Sequence, residues 1–163
     1  MKDSVQLVLD LLRERLDGAG AFKSFYDGDP DLIPTMNLPA LVVTKTSDTS
    51  EPATQDQDDV TDTIVVKAIL NKADDWGNDR AKTKELTEAK LRRWMEERDP
   101  VTRRWKPTTI KGALRQGLDG DRRIGQRMSL EIGVTPRPGD LVTHEAHLTI
   151  TVEYIVNVDL NIQ

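Results

Sequence analysis

The chain contains no cysteine. Disulfide bonds, thiolate metal sites, C-x-x-C redox chemistry and cysteine nucleophiles are therefore all excluded. Hydrophobic residues make up 37% of the sequence and aromatic residues only 4%. The hydrophobic residues are therefore mainly Val, Ile and Leu. In 163 residues this content is enough for an aliphatic core. We therefore expect one folded domain spanning residues 1–163.

Long hydrophobic runs are also missing. No segment approaches the roughly 20 consecutive apolar residues of a membrane-spanning helix. The first ten residues alternate between polar and apolar side chains and lack the apolar stretch of a signal peptide. The expectation is a protein that has no membrane partner and is cytosolic where it is made.

Charge is distributed unevenly along the chain. Residues 80–127 contain fifteen Lys and Arg but seven Asp and Glu, whereas the whole chain has a net charge of -5. The remaining segments are therefore strongly acidic. Such polarity suits either an anion-binding surface or contacts in which the positive side of one subunit meets the negative side of the next.

Two amphipathic helices are predicted. Apolar residues recur at helical spacing over residues 4–17, directly after the capping residues Asp3 and Ser4. Strong helix formers occupy residues 84–98, between a possible N-cap at Thr83 and Pro100. The intervening proline-broken stretch 22–39 predicts an ordered loop anchored by its aromatic residues, which are Phe22, Phe25 and Tyr26.

Alternating β-branched residues predict two hairpins. The first joins a strand at 40–47 to a longer one at 59–72, and the acidic segment 48–59 between them is expected to be a mobile loop. The second joins the alternation that starts at Gln126 to the periodic run from Val142, the longest in the chain. Residues 100–125 stay open, with 108–116 as a short strand or turn. The predicted class is α+β, with a mainly antiparallel β-sheet flanked by two helices and a long C-terminal β-hairpin.

The sequence HEAH at 144–147 resembles the H-E-x-x-H helix motif of zinc hydrolases. Its two histidines are three residues apart instead of four, and they are the only histidines in the chain. The residues that follow alternate between apolar and polar with a period of two, which is typical of a strand. His144 and His147 are therefore predicted to face opposite sides of a strand and to bind no metal.

Other catalytic or metal-binding patterns are weaker still. Asp27, Asp29 and Asp31 imitate the start of a calcium-binding loop, but the required glycine and glutamate positions hold Leu32 and Leu38. A turn is the favoured interpretation. No combination of nucleophile, base and orienting residue is recognisable. We expect no catalytic residues, no metal and no cofactor.

A basic, tryptophan-containing segment is the strongest binding candidate. Arginine can hold phosphates while an aromatic ring stacks on a base, and both residue types are also enriched at protein interfaces. Three interpretations remain open: a subunit interface, a nucleic-acid site over residues 90–106, or a solvated helix face. The candidate residues are Arg92, Arg93, Trp94, Arg103, Arg104 and Trp105.

The order of these segments resembles the tail terminator proteins of long-tailed bacteriophages and related tail-completion proteins. The resemblance lies in an N-terminal helix, a proline-broken loop, the strands PALVVTKT and VTDTIVVKAILNK, a helix and a final hairpin ending in AHLTITVEYIVNV. It covers most of the chain through the order and style of its elements, without a diagnostic motif.

The resemblance implies a structural protein of the virion tail and neck that is not an enzyme and is made in the host cytoplasm. It implies a small α/β fold and a homo-oligomeric ring, hexameric in that group, that sits on the end of the tail tube. The implied partners are copies of the chain itself, a tail tube protein and a head-completion or neck protein. DNA is expected to pass through the ring without specific binding.

The resemblance and the charge pattern together lead to a hypothesis about the channel. A positively charged lumen would retain the phosphates of passing DNA, whereas a negative one lets the strand slide. We therefore expect Asp56, Asp58 and Asp59 to face the channel, and the basic segment to face a neighbouring subunit or ring. The alternative is a nucleic-acid-binding protein that uses residues 90–106.

Overall fold

The computed structural model describes residues 3–16, 22–76, 85–115, 118–119 and 122–158. Three α-helices and six β-strands form within these residues. The elements in chain order are α1 Ser4–Leu16, β1 Ser24–Asp27, β2 Ala40–Thr54, β3 Gln57–Asn71, α2 Thr87–Glu96, α3 Ile110–Arg115, β4 Leu118–Asp119, β5 Arg122–Arg137 and β6 Leu141–Asn157.

All six strands belong to one sheet with the order β1-β2-β3-β6-β5-β4. The short β1 is parallel to β2, and every other neighbouring pair is antiparallel. The predicted α+β class with a mainly antiparallel sheet is therefore confirmed. The long β5–β6 pair is the predicted C-terminal hairpin.

The α1 helix forms where the sequence predicts it. The side chain of Asp3 caps the helix by accepting a hydrogen bond from the backbone N–H of Gln6 at 2.8 Å. The apolar stripe of the helix, which includes Leu12 and Leu16, is buried against the sheet. Residue 17, the last of the predicted span, lies outside the described residues.

The hydrophobic core lies between one face of the sheet and the three helices. Alternate residues of the central strands point into it, because side chains alternate between the two faces of a strand. We call this face the helix face. Its fully buried strand residues include Leu41, Ile64, Val66, Ala68, Ala146, Leu148, Ile150 and Val152. Burial of each large aliphatic side chain here stabilises the fold by about 1.5–3 kcal/mol.

The opposite face, which we call the open face, is covered only at one end. There the segment between β1 and β2 folds back, and Ile33 and Leu38 pack on Val42 and Ile69. The predicted loop at 22–39 is therefore ordered, although sequence reasoning missed the four-residue strand β1 inside it. The rest of the open face has no helix on it among the described residues.

The prediction of a mobile loop at 48–59 is wrong. The β2 strand continues to Thr54 and β3 begins at Gln57, so these acidic residues form the paired outer part of a hairpin. Backbone hydrogen bonds depend on having a partner strand and not on apolar side chains. Here β3 is flanked by β6 as far as the pair Gln57–Asn157. The acidic composition indicated exposure correctly but not the backbone conformation.

The helical prediction for 84–98 and the open assignment for 100–125 also need correction. The α2 helix is shorter than predicted, and the suggested cap Thr83 lies outside the described residues. The predicted strand or turn at 108–116 is instead α3, which buries Ile110 and Leu114. A six-residue helix is too short to show a clear helical period in the sequence. The sheet is therefore flanked by three helices within the described residues, instead of two.

We predict that Leu148→Ala destabilises the protein by about 2–5 kcal/mol, because it leaves a cavity in a close-packed core. Leu148 is 0% exposed on the central strand β6. The matched control is Leu86→Ala, since Leu86 is 50% exposed. Urea denaturation followed by circular dichroism measures both variants. Equal effects at the two positions would contradict the assignment of the core.

Candidate interaction surfaces

The first histidine of HEAH lies in a buried hydrogen-bond chain on the helix face. The Nδ1 atom of His144 lies 2.7 Å from the hydroxyl of Thr87 at the start of α2. That hydroxyl donates to Asp75 Oδ2 at 2.6 Å, so His144 Nδ1–H donates to the Thr87 oxygen. Burial alone would raise the pKa of Asp75, but hydrogen bonds from Lys72 and Thr87 lower it to about 2. The chain therefore joins α2 to β6 and to the turn after β3.

The second histidine points to the open face. His147 Nε2 lies 2.8 Å from Glu145 Oε1, and Glu145 is only 1% exposed. Arg137 from β5 holds the same carboxylate through Nε at 2.6 Å and Nη2 at 2.8 Å. Burial opposes ionisation of Glu145, but the hydrogen bonds from Arg137, His147 and Thr143 hold its pKa well below the usual range. The carboxylate is a structural anchor between β5 and β6.

These contacts confirm that HEAH belongs to a strand and that its histidines face opposite sides. Within the described parts of the chain, no three His, Asp or Glu side chains lie close enough to hold a metal ion. The aspartates at 27, 29 and 31 also fit the predicted turn. Asp29 binds Lys67 at 2.6 Å and approaches Arg137 at 3.6 Å, which ties this turn to the sheet.

The first part of the basic segment belongs to α2, and the part after Glu96 forms a structured loop between α2 and α3. Backbone hydrogen bonds join Asp99 to Arg104 and Lys106 to Glu97, while the Asp99 side chain accepts from the N–H groups of Val101 and Thr102. These two hydrogen bonds lower the pKa of Asp99. At Arg103 the backbone has a φ of 62°, a conformation that few non-glycine residues adopt. The loop is therefore held in one defined shape.

This loop and α3 enclose a basic cleft of about 530 Å³. A Cβ atom on Gly112 would lie 2.1 Å from the Lys106 carbonyl oxygen, so only glycine allows α3 to approach the loop this closely. Lys111 binds Glu96 at 2.7 Å and lies over the ring of Trp105. The cleft is lined by Glu96, Arg98, Arg103, Arg104, Trp105, Lys111, Gly112 and Arg115.

The six predicted interface residues do not form one surface. Arg103, Arg104 and Trp105 line the cleft. Arg93 instead binds Glu85 at 2.8 Å, and Trp94 packs on Phe22 with ring centroids 4.9 Å apart. Arg92 is exposed on α2. Arg98, which lies in the predicted basic segment 90–106, also lines the cleft, whereas sequence reasoning missed Arg115 because α3 was not predicted. No ion pair joins the four cleft arginines to any described residue.

The three aspartates predicted to face a channel also separate in the structure. Asp56 lies in the turn between β2 and β3. Asp58 and Asp59 are adjacent in β3 and therefore point to opposite faces, with Asp59 on the open face. Asp59, Glu51 and Glu153 line one concave surface at this end of the sheet, together with Arg123. We call this end, where β2 turns into β3, the acidic end.

Between the acidic end and the covered end, the open face consists largely of hydroxyl side chains. Alternation along the three long strands places threonines side by side on this face, and they are half-buried or exposed. They are Thr44, Thr49, Thr61, Thr63, Thr149 and Thr151. The two cations nearer the covered end, Lys67 and Arg137, are both held by carboxylates. The open face is therefore polar and neutral to acidic.

No protein-family model matches the chain, and no curated protein matches it at a significant level. Within the described residues, no helix has both the length and the apolar character needed to cross a membrane. The functional assignment therefore depends on the surfaces of the molecule itself.

We predict that His144→Gln flattens the dependence of stability on pH below neutrality. Burial, and then the charge of Lys72, lower the pKa of His144 from the ordinary value of 6.5. The folded protein binds this proton more weakly than the unfolded chain does. The contribution of neutral His144 to the free energy of unfolding is therefore fully present above about pH 6.5, and it is lost as the pH falls below that value.

Urea denaturation at several values between about pH 7.5 and pH 5 measures this effect. The control is His147→Gln on the opposite face. This variant should retain the part of the decline in stability at low pH that protonation of His144 causes. An unchanged slope in the His144→Gln variant would contradict the buried, neutral imidazole.

Proposed function

We propose that the protein is a structural component of a phage virion. In this proposal its copies form a ring, hexameric as in the tail terminator group, that caps the tail tube and joins the tail to the head or neck. The observation that supports this most strongly is the one-sided sheet. Helices cover the helix face, while most of the open face presents hydroxyl groups and carboxylates to its surroundings.

A one-sided sheet of this composition suits the wall of a channel for DNA. Phosphates bind to cations, and a surface that passes DNA without retaining it must offer few free ones. On the open face Lys67 and Arg137 are paired with carboxylates. Arg123 at the acidic end makes no ion pair with a described residue, but it lies on one concave surface with Glu51, Asp59 and Glu153. The channel wall is then the whole open face and not the acidic segment alone. Asp59 is one of the residues on this wall.

The helix face then lies on the outside of the ring, where its basic cleft can meet another protein. Within the proposal, that partner is an adjacent subunit, the tail tube protein or a neck protein. The site is chemically suited to carboxylates, because arginine side chains form paired hydrogen bonds with them. Assembly takes place in the host cytoplasm, and the final location is the tail or neck of the virion.

We expect the purified protein to assemble into closed rings. Light scattering and native mass spectrometry measure the subunit number over a range of concentrations, and negative-stain electron microscopy detects a central hole. Six copies would agree with the tail terminator group. A protein that remains monomeric at every concentration would contradict the proposal.

The alternative proposal is a nucleic-acid-binding protein. The observation in its favour is the cleft itself, in which four arginines without an ion-pair partner among the described residues surround Trp105. Arginine would contact phosphates and the indole ring would stack on a base. This proposal concerns the helix face and is independent of the open face.

A salt titration separates the two proposals. Binding of a labelled single-stranded or duplex DNA through the cleft should weaken steeply as salt increases, and Arg103→Glu with Arg104→Glu should abolish it. The control is Arg92→Glu, which changes an exposed arginine outside the cleft. Absence of DNA affinity in the wild-type protein at low salt would reject the alternative.

A further inference from the structure

Both long edges of the sheet carry unpaired backbone over much of their length. On one edge, β1 pairs only with Ala40–Val43 of β2. The inner side of Thr44–Thr54 pairs with β3, but its outer side has no strand beside it among the described residues. On the other edge, β4 pairs only with Arg122 and Arg123 of β5. The outer side of Met128–Arg137 likewise has no strand beside it within the residues that the structure describes, while its inner side pairs with β6. Free edges of this length are sites where a strand from another chain can add.

The two edges have complementary stepped outlines. Following the register across the sheet, β1 lies level with Leu130–Gly133, which is part of the free stretch of β5. On the other side β4 lies level with Thr49–Ser50, which is part of the free stretch of β2. Each edge therefore projects where the opposite edge is recessed.

The strand directions also fit a ring. In a cyclic assembly all copies point the same way along the axis, so unlike edges of neighbouring copies must meet. The β1 strand runs towards the acidic end, and β5 runs away from it. The β1 strand of one copy would therefore lie antiparallel to β5 of the next, which is the more stable of the two pairings. The β2 strand would lie beside the neighbour's β4 at the same level.

Charge favours the same arrangement. At the acidic end, the β2 edge carries exposed Asp48 and Glu51. At the same end of the sheet, the β5 edge carries exposed Arg123 and Arg127, which have no ion-pair partner among the described residues. Side-by-side packing in one orientation brings the acidic edge of one copy towards the basic edge of the next, whereas like edges would repel.

The free part of β5 also exposes apolar surface. Val134 on this stretch is 53% exposed. Natural free edges are usually protected by lysine, proline or a bulge. The β2 edge has Lys45, Pro52 and a bulge between Lys45 and Ser47. The stretch Met128–Arg137 has no lysine, and its one proline, Pro136, lies at the end next to the hairpin turn. The β1 strand of a neighbouring copy would end one residue from the level of Val134 and would cover part of this surface.

We infer that the occupant of each edge is a second copy of this chain, so that β1 and β2 of one subunit join β5 and β4 of the next into a sheet that continues around the ring. This inference depends on the proposed ring and adds the contact that closes it. The open faces then form one uninterrupted surface on one side of the joined sheet.

Cross-linking between the two edges tests the inference directly. The chain has no native cysteine, so introduced thiols are the only ones present. Asp27→Cys on β1 and Leu130→Cys on β5 place thiols at the same level and on the same helix-facing side of the sheet, on its two opposite edges. A short bismaleimide should convert the double variant into a ladder of covalent oligomers that ends at the subunit number of the ring.

Three controls accompany this variant. Each single cysteine variant should remain uncross-linked, because the inferred contact joins unlike edges. Asp27→Cys combined with Arg92→Cys, which lies on the helix side, should give no ladder. Dimers from a single variant would show like edges meeting and would overturn the inference.

A second measurement does not depend on cross-linking. Val134→Lys adds a charge at the free edge and should raise the concentration needed for assembly by at least about tenfold, or about 1.4 kcal/mol for each contact. Leu86→Lys is the matched control, since Leu86 is also exposed but lies away from both edges. Circular dichroism verifies that both variants fold.

The outcomes distinguish the inference from the proposed function. Rings that give no ladder and tolerate Val134→Lys would overturn the edge pairing and leave the ring proposal standing. A wild-type protein that never assembles would overturn both.

Discussion

The antiparallel pairing of β3 with β6 is the interaction on which the rest of the structure depends. It runs without a break from the Gln57–Asn157 pair to the Asn71–Thr143 pair. The two strands supply most of the buried aliphatic residues that the helices cover, and they carry β2 on one side and β5 on the other. A shift of one residue would turn these side chains to the open face, so burial of one face also fixes the register.

Buried polar groups add specificity to this aliphatic core. On the helix face, His144 and Thr87 connect β6 to α2, while Ser4 of α1 donates a 2.5 Å hydrogen bond to Asp62 of β3. On the open face, Glu145 and Arg137 join the two strands of the C-terminal hairpin. Each of these groups has to find its partner, because an unpaired polar group in the interior is costly. These hydrogen bonds favour one placement of each helix and strand over alternative placements in which the polar groups would lack partners.

The surfaces divide according to charge and to the element that carries them. The arginine cleft belongs to the helix side, and the carboxylates belong to the acidic end of the sheet and to its open face. A molecule built in this way can present an anionic or neutral wall on one side and a cationic contact on the other. The two uncovered edges lie between these sides. The proposed ring of identical copies rests on this arrangement.

Periodicity in the sequence was sufficient to identify the α+β class, the first helix and the C-terminal hairpin, because a period of two or of 3.6 residues follows directly from which side chains are buried. It also determined that the histidines of HEAH lie on opposite faces. The helix α3 and the strand β1 were beyond its reach, since segments of six and four residues are too short to show a period.

Only the tertiary structure decided the conformation of the acidic segment and the grouping of the charges. Residues 48–59 are paired because β6 extends alongside β3, which is a contact between residues about a hundred positions apart. Arg98, Arg103 and Arg115 meet because α3 packs against the loop through Gly112. Local sequence determines which face of an element is buried, whereas the position of one element relative to another depends on packing between distant parts of the chain.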